Sequence, residues 1–422
     1  MTGALFGRYG DVFRNLSFRR FWGGFALSSV GDAMTRVALI WFVYQLTGSP
    51  RALGLLSVCY TGPILIGGLV AGSLLDRFDR RNVMIADNLI RGVAVALIPL
   101  LHALGRLELW HLYTVAAVYG LFMMISLAGG PSLLPSLVSS EQLITVNALE
   151  MLGFTMGGIV GPPLAGLLIP LIGAPNVLIV DAISYGLFAL ALSRVHYTES
   201  DVAHVATTDE PYRLADAFHL LRSNNILLST TLMFMAYNVG QGFLFVWLPI
   251  YASRSLGGGA MVFGALLGAV AVGELLSSIL AGSLRLPLAL GTLICLFQFC
   301  AGVVLLPLLA DNRLIALAGM SLYGFFSAPL TIWAQTLRMG IIPERLRGRT
   351  FALLRMLMQG TGPVGGALAG FLLPLLGVQL MINLTGTFTS LPGIAGYQVR
   401  QLRDGGEPSV PLDELPQSNV SG

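Results

Sequence analysis

The segment that decides the fold is Gly72-Ser73-Leu74-Leu75-Asp76-Arg77-Phe78-Asp79-Arg80-Arg81, a cluster of charge between two long apolar segments. Five ionised side chains this close together cannot lie in hydrocarbon, so the flanking segments must bring them to a water interface. We interpret the segment as a short loop between two membrane spans. Its glycine is the kind of residue that lets neighbouring helices approach closely.

The composition of the whole chain is that of a polytopic membrane protein. Of its 422 residues, 55% are hydrophobic and 11% are charged, with a mean hydropathy of +0.78, whereas a soluble domain carries roughly 25% charged residues. Apolar runs long enough to cross a hydrocarbon core of about 30 Å recur along the chain. We predict an all-α fold with about twelve spans, at 22–45, 52–74, 83–104, 111–134, 146–170, 175–193, 225–252, 258–283, 288–309, 314–337, 349–374 and 376–398.

The arginines predict the topology, and all 24 basic residues are arginines. With a cytoplasmic N-terminus, 17 of them fall in segments on the cytoplasmic side and four on the other side, a strong positive-inside bias. We therefore expect a multi-pass protein of the plasma membrane with both termini in the cytoplasm. Because lysine is absent, a GxxxxGK[ST] phosphate-binding loop is excluded, and active transport must use an ion gradient or a separate ATPase subunit.

The two halves of the chain repeat each other. Pro163–Gly173 recurs as Ala367–Gly377, and two shorter matches that precede these segments occur in the same order in both halves. Because six spans per half is an even number, the repeat should be parallel. We predict an N-terminal segment at 1–21, a six-helix lobe at 22–193, a cytoplasmic linker at 194–224, a second lobe at 225–398 and a disordered tail at 399–422.

The pattern Gly72-xxx-Asp76-Arg77-xx-Arg80-Arg81 resembles the signature loop between spans 2 and 3 of the major facilitator superfamily, and the resemblance covers the chain from Asn15 to Arg400. It implies that these five residues form a cytoplasmic gate. In that superfamily the aspartate faces the start of span 11, here near residues 349–350, where a helix N-terminus favours a carboxylate. The alternative is that the arginines only fix the topology.

Further segments resemble the branch of macrolide-efflux and enterobactin-export proteins, namely Asn15–Trp22, Ser28–Asp32 and Leu46–Gly54. On span 5 a second pattern is similar to the antiporter signature of drug exporters; it comprises Gly157, Gly161, Pro162, Ala165 and Gly166. Small residues at this spacing permit tight helix contact, and a proline bends a helix. The resemblance implies export, while generic helix packing is the alternative for the span 5 pattern.

Ionisable residues at membrane depth are default candidates for function. Asp32 and Arg36 lie one turn apart in span 1, and we predict that they form an ion pair that faces a central cavity. The alternative is a structural pair in which the two charges only neutralise each other. Asp87 and Arg91 share this spacing, and we interpret them as structural.

Two further embedded carboxyls, Asp181 and Glu274, have no opposite charge three or four residues away. Such a group can carry a coupling proton, and we prefer Glu274; a neutral carboxyl hydrogen-bonded within the bundle is the alternative for each. Glu150 and Arg355 occupy equivalent positions near the starts of spans 5 and 11, so we expect them to meet across the cytoplasmic gate; snorkelling of each side chain toward the membrane surface is the alternative.

Uncharged side chains complete the predicted cavity. The candidate polar residues are Asn238, Gln241, Gln335 and Gln359. Neighbouring aromatic residues would suit a bulky amphipathic ligand; they are Tyr237, Phe243, Trp247 and Trp333. Packing or lipid contact is the alternative for these rings.

The sequence therefore predicts a secondary active transporter that exports a drug-like, macrolide-like or siderophore-like amphiphile in exchange for protons by alternating access. Alternatives are an uptake or facilitative carrier for a small solute, a lipid flippase, and a non-transporting sensor or assembly factor. No pattern indicates an enzyme, a cofactor, a metal site or nucleic acid binding. The expected partners are a small-molecule substrate, protons and membrane lipid, and one chain contains a complete transport unit.

Overall fold

The computed structural model describes residues 10–196, 214–283, 288–343 and 346–404. The long elements in these ranges are all α-helices: α1 (Leu16–Thr47), α2 (Pro50–Arg77), α3 (Arg80–Ala103), α4 (Leu109–Leu133), α5 (Leu143–Ile172), α6 (Ala174–Ser193), α7 (Asn225–Ile250), α8 (Gly259–Ser283), α9 (Leu290–Val303), α10 (Arg313–Ile341) and a continuous helix Arg347–Gln398. In the part of the chain that the structure describes, eleven helices are long and apolar enough to span a membrane.

The last of these helices contains two spans. Gly377 adopts φ +75° and ψ +169°, a conformation that glycine reaches without strain. It divides the helix into α11 (347–376) and α12 (378–398), which brings the number of spans to twelve. The predicted all-α fold of about twelve spans is confirmed.

Local sequence signals end and begin the helices at the predicted loops. Gly48, with φ +58°, closes α1, and the Ser49 side chain caps α2 directly before Pro50. At the charged loop, Asp79 Oδ1 accepts a hydrogen bond of 2.7 Å from the Asn82 backbone N–H and so caps α3. The opening segment is therefore a tight turn between α2 and α3.

Helices α1–α6 and α7–α12 form two lobes with the same internal pairings. In the first lobe α2 packs on α4 and α3 on α6; in the second, α8 packs on α10 and α9 on α12. Likewise α1 packs on α5, as α7 packs on α11. Helices that occupy the same place in the order of each half therefore make the same contacts in both lobes, as a parallel repeat predicts.

The two faces of the bundle differ in how the lobes meet. We call the face at Leu16 and Ser193 the terminal face and the face at Gly173 and Gly377 the far face. Near the far face, a single apolar cluster includes residues of both lobes. The other apolar clusters of the described residues each belong to one lobe. The lobes are therefore joined at the far face and separate toward the terminal face.

Small residues produce the far-face junction. A Cβ at Gly54 of α2 would lie only 3.0 Å from Gly370 Cα of α11. A Cβ at Gly264 of α8 would lie 2.9 Å from Gly166 Cα of α5 and would collide with the Pro162 carbonyl oxygen. These contacts permit backbone approach that a larger side chain would block.

Parts of the predicted terminal segments and linker lie outside the described residues, namely 1–9, 197–213 and 405–422. Within the predicted linker, a short helix, Leu214–Ser223, packs Ala217 and Leu221 against Leu346 and Leu354 of the second lobe. The predicted disorder of the tail concerns residues of which the structure describes only the first few.

Candidate functional site

A cavity of about 250 Å³ lies between the lobes. Helices α1, α5, α7, α8 and α10 contribute its wall. Most of the wall is apolar, formed by Ile40, Gly158, Leu244, Phe245, Leu248, Phe263, Leu267, Val270 and Ala271. The polar lining residues are Arg36, Gln241, Glu274 and Tyr323. An apolar wall with a few polar groups is typical of a small-molecule site.

The charged residues of this wall, Arg36 and Glu274, belong to different lobes. Arg36 comes from α1 and Glu274 from α8. Within the described ranges, no salt bridge of 4.0 Å or less involves either side chain. Gln241, also predicted for the cavity, donates a hydrogen bond of 2.8 Å to the Tyr237 hydroxyl. The structure thus brings Arg36, Gln241 and Glu274 to one cavity.

Asp32 pairs with Arg91, so the predicted Asp32–Arg36 pair is wrong. Arg91 Nη1 lies 3.1 Å from Asp32 Oδ1, and the Tyr185 hydroxyl donates to the same carboxylate oxygen. Arg36 has the spacing along α1 that a helical ion pair requires. However, the Arg91 guanidinium, which is fixed by Asp87 on α3, reaches Asp32 from the neighbouring helix. Arg36 is therefore not paired with Asp32, and it lines the cavity.

Arg91 is the centre of a buried polar network in the first lobe and is only 1% exposed. Asp87 accepts two hydrogen bonds from it, from Nε at 3.0 Å and from Nη2 at 2.7 Å, which is the strong bidentate arrangement. Ser126 donates to Asp87 at 2.9 Å, and the guanidinium lies 4.5 Å from the centre of the Tyr185 ring. The Asp87–Arg91 pair is therefore part of a structural network that joins α3 to α1, α4 and α6.

Asp181 is hydrogen-bonded within the first lobe, as the alternative reading of this carboxyl predicted. It is completely buried and accepts hydrogen bonds from the hydroxyls of Thr35, at 2.6 Å, and Ser184, at 2.9 Å. A Cβ at Gly31 would collide with its Oδ1, so α1 and α6 can approach only because residue 31 is a glycine. Asp181 does not line the cavity.

Aromatic rings connect the buried network to the second lobe. The Tyr119 hydroxyl donates to the Asp32 carbonyl at 3.2 Å, and the Tyr119 ring stacks on Tyr60 with 5.3 Å between centroids. The Tyr60 ring in turn lies 6.3 Å from Phe245 in the cavity wall. The network therefore fixes the part of α1 that presents Arg36.

The charged loop is bound to its own lobe in this conformation. Arg80 donates to the Ser132 carbonyl at 2.8 Å and Arg81 to the Val195 carbonyl at 3.1 Å. Asp76 and Arg77 are exposed, and no hydrogen bond or ion pair joins Asp76 to any residue that the structure describes. The predicted contact of Asp76 with the start of α11 is therefore not formed here.

Gly72 also lacks a close neighbour in this conformation. A Cβ at this position would meet nothing within 4 Å, so the close helix approach expected at this glycine is not made in this conformation.

The predicted contact between Glu150 and Arg355 is also absent. Glu150 is 6% exposed and packs so closely on α4 that a Cβ at Gly130 would collide with it. Its Oε1 has no hydrogen-bond partner among the described residues, and Arg355 is exposed. The two residues stay apart because the lobes diverge where these helices begin.

The remaining predicted residues lie off the cavity wall. Asn238 donates to the Phe234 carbonyl of its own helix at 2.8 Å, while Gln335 and Gln359 are exposed. The predicted aromatic residues pack within the second lobe: Tyr237 on Tyr323, Phe243 on Phe388, Trp247 on Tyr251 and Trp333 on Phe297. The alternative of packing therefore applies to these rings.

The span 5 pattern makes two kinds of contact. Gly157 and Gly161 pack on α1, where a Cβ would lie 2.5 Å from the Ser29 carbonyl oxygen and 2.6 Å from Ala33 Cβ, respectively. Gly166 packs on α8 of the other lobe, 2.8 Å from the Ala260 carbonyl oxygen by the same measure. One helix therefore connects the core of the first lobe to the junction between the lobes.

Sequence reasoning missed Phe245, Phe263 and Tyr323, which line the cavity. Helical spacing offered a signal for the first two. Phe245 follows Gln241 by one turn, and Phe263 precedes Glu274 by three turns on the same face of its helix. Tyr185 in the network was likewise one turn from Asp181.

Two parallel six-helix lobes with a cavity between them are an architecture that many secondary transporters use. Among solved structures, a bacterial homologue of the iron transporter ferroportin in its inward-facing state matches with a TM-score of 0.68 at 17% identity, over 90% of this chain and 98% of that one. The nucleoside transporter NupG matches with a TM-score of 0.69 at 13% identity, over 91% and 98%. These likenesses show the fold.

A family model described as transmembrane secretion effector matches residues 11–421. The chain belongs to this family of the major facilitator superfamily, so it is a multi-pass membrane transporter and not an enzyme. The multidrug efflux pump Tap of Mycobacterium tuberculosis is 25% identical over 93% of this chain and 94% of Tap. The staphyloferrin A transporter of Staphylococcus aureus is 22% identical over 85% and 90%.

Macrolide efflux protein A of Streptococcus pyogenes is 24% identical over 56% of this chain and 57% of its own length. The predicted superfamily and the resemblance to macrolide-efflux proteins are confirmed.

Proposed function

We propose that this transporter exports a drug-like, macrolide-like or siderophore-like amphiphile from the cytoplasm in exchange for protons. The observation that carries the proposal is Glu274, a carboxyl in an otherwise mainly apolar wall between the lobes, with no ion-pair partner in the described chain. A carboxyl at membrane depth is a default functional group. The relatives named as efflux pumps support export as the direction.

Glu274 is a better candidate for the proton carrier than Asp32 or Asp181. Asp32 is held by Arg91 and Tyr185, and Asp181 by Thr35 and Ser184. Either one would have to leave an established network in each cycle. In our scheme Glu274, when ionised, binds substrate from the cytoplasm, and a proton from outside then neutralises it and releases the substrate. When the cavity opens to the cytoplasm again, Glu274 releases this proton there and becomes ionised for the next cycle.

Alternating access would use the small-residue junction as one gate. The arginine distribution predicts that both termini are cytoplasmic. In our proposal the terminal face is therefore the cytoplasmic side, and the present conformation is open to the cytoplasm. Opening the far face would require Gly264 and Gly166 to separate, while the lobes close at the terminal face.

On that cytoplasmic side, closure would bring the charged loop to the second lobe. Asp76 would then meet the N-terminus of α11, with Gly72, Arg77, Arg80 and Arg81 completing the gate. Glu150 and Arg355 would meet in the same movement. The antiporter-like residues Gly157, Gly161, Pro162 and Gly166 would transmit it along α5.

The transport unit in this proposal is a monomer in the plasma membrane. Residues 22–193 and 225–398 form the two moving lobes, and 194–224 connects them. Asn238, Gln335 and Gln359 become substrate contacts only if lobe movement brings them to the cavity.

The test is a panel of susceptibility and dye-efflux assays in an efflux-deficient bacterial strain, with and without the gene. We expect lower accumulation of at least one amphiphile in cells with the protein, and loss of this effect in Glu274→Gln. The matched control is Glu141→Gln, which changes an exposed glutamate in the turn before α5. Membrane levels of each variant are measured by immunoblot.

Higher accumulation in cells with the wild-type protein would contradict export and indicate uptake. Undiminished efflux by Glu274→Gln would contradict the coupling role of this carboxyl.

A further inference from the structure

The cavity wall carries one positive and one negative group that do not form a salt bridge with each other. Arg36 and Glu274 both line the cavity, from opposite lobes. Within the described ranges, neither side chain makes a salt bridge or a hydrogen bond. The hydrogen bond that Ser277 donates to residue 274 goes to its backbone carbonyl and not to its carboxyl group. Two embedded charges are therefore available to a ligand.

The positive charge of Arg36 stays available because its natural partner is occupied. Asp32 lies one turn away on α1 but binds Arg91 at 3.1 Å and accepts the Tyr185 hydroxyl. Arg91 and Asp87 are 1% exposed and fixed by the surrounding network. Rearrangement of Asp32 toward Arg36 would break its ion pair with Arg91 and its hydrogen bond with Tyr185, and the loss of these two interactions opposes that movement.

Most of the other residues of the wall are apolar, among them Ile40 on the first lobe and Leu244, Phe245 and Leu267 on the second. A ligand that carries one charge satisfies one of the two groups and leaves the other without a partner in a poorly solvated site. A ligand that carries both charges on an apolar body satisfies both groups and fills the space between them.

Resting on the proposed function, we propose that the preferred substrates are zwitterionic amphiphiles, whose anionic group binds Arg36 and whose cationic group binds Glu274. The two halves of such a molecule contact different lobes, so its binding also connects the lobes. Cations and anions of the same size are weaker ligands of this cavity.

The experiment uses three probes with one fluorophore: Nα-dansyl-L-lysine, which has both charges; dansylcadaverine, its decarboxylated cationic analogue; and Nα-dansyl-L-norleucine, which has only the carboxylate. Binding to the full chain in lipid nanodiscs is measured by fluorescence anisotropy. We expect dansyl-lysine to bind about tenfold to a hundredfold more tightly than either analogue, the value of a hydrogen bond to a charged group.

Variants assign the preference to each charge. Arg36→Gln should lose the advantage of dansyl-lysine over dansylcadaverine, and Glu274→Gln its advantage over dansyl-norleucine. Arg36→Lys keeps the charge and should retain the preference, which separates charge from folding. Arg106→Gln, in an exposed loop, is the control and should match the wild type.

Equal affinity for the three probes, a preference that neither variant changes, or no binding of dansyl-lysine up to about 1 mM would overturn the zwitterion proposal and leave export untouched. Conversely, the predicted charge preference together with no efflux in cells would overturn export and leave the ligand class standing.

Discussion

Replacement of Arg91 by methionine tests whether the buried network holds the first lobe together. Arg91 makes hydrogen bonds of 3.0 and 2.7 Å to Asp87 and one of 3.1 Å to Asp32. In Arg91→Met, Asp87 loses both charge-assisted bonds while its side chain remains completely buried. Removal of one partner of a buried ion pair costs about 3–5 kcal/mol, a change of roughly a hundredfold to several thousandfold in the folded-to-unfolded ratio.

The assay is reversible unfolding by SDS in mixed micelles, followed by circular dichroism. Asp87→Leu added to Arg91→Met removes the isolated carboxylate and should recover most of the loss. The control is Arg14→Met, because Arg14 and Asp11 form a surface pair with side chains 85% and 60% exposed. Its effect should stay below about 1 kcal/mol. An effect of Arg91→Met as small as the control, or no recovery in the double variant, would refute the reasoning.

Three further substitutions test the gates and the packing of α1. In Gly264→Val the new side chain should collide with the Pro162 carbonyl oxygen and hold the far face open. Cysteine labelling from the outside would then show increased access to the cavity, and unchanged labelling would contradict this prediction. Asp76→Asn should abolish transport in vesicles and leave expression and thermal stability unchanged, because Asp76 is exposed in the present conformation; normal transport would exclude the gating role. Gly31→Ala should lower thermal stability through collision with Asp181, and wild-type stability would show that α1 and α6 can adjust.

The fold could be predicted from sequence because its signals are local. Hydrophobic length defines a span, and capping residues such as Asp79 mark its ends, so the spans near the charged loop follow from short windows of residues. The division of the last helix was predicted between the spans 349–374 and 376–398, and the structure has it at Gly377, close to the predicted boundary.

The site was predictable only in part, because its contacts join distant spans. Spacing along one helix suggested Asp32 with Arg36, but the partner of Asp32 arrives from α3, and its geometry depends on packing that no local pattern reveals. Arg36 and Glu274 could each be identified as embedded charges. That they line one cavity follows from how the lobes meet.

The gate residues illustrate a different limit. The loop at Asp76 and the pair Glu150 and Arg355 were predicted to make contacts across the terminal face. A sequence specifies residues that can meet but not which of two conformations is present, and here the lobes diverge at that face.

The central claim, proton-coupled export through Glu274, is tested most directly by proton movement in liposomes. Purified protein is reconstituted with the pH dye pyranine inside the vesicles, and the amphiphile with the strongest cellular efflux is added outside. Protein molecules whose cytoplasmic face lies outside the vesicle should move the amphiphile into the lumen and protons out of it. We therefore predict that the lumen becomes more alkaline, and that Glu274→Gln shows no such change. Substrate transport without any proton movement, or an undiminished proton signal in Glu274→Gln, would contradict the account.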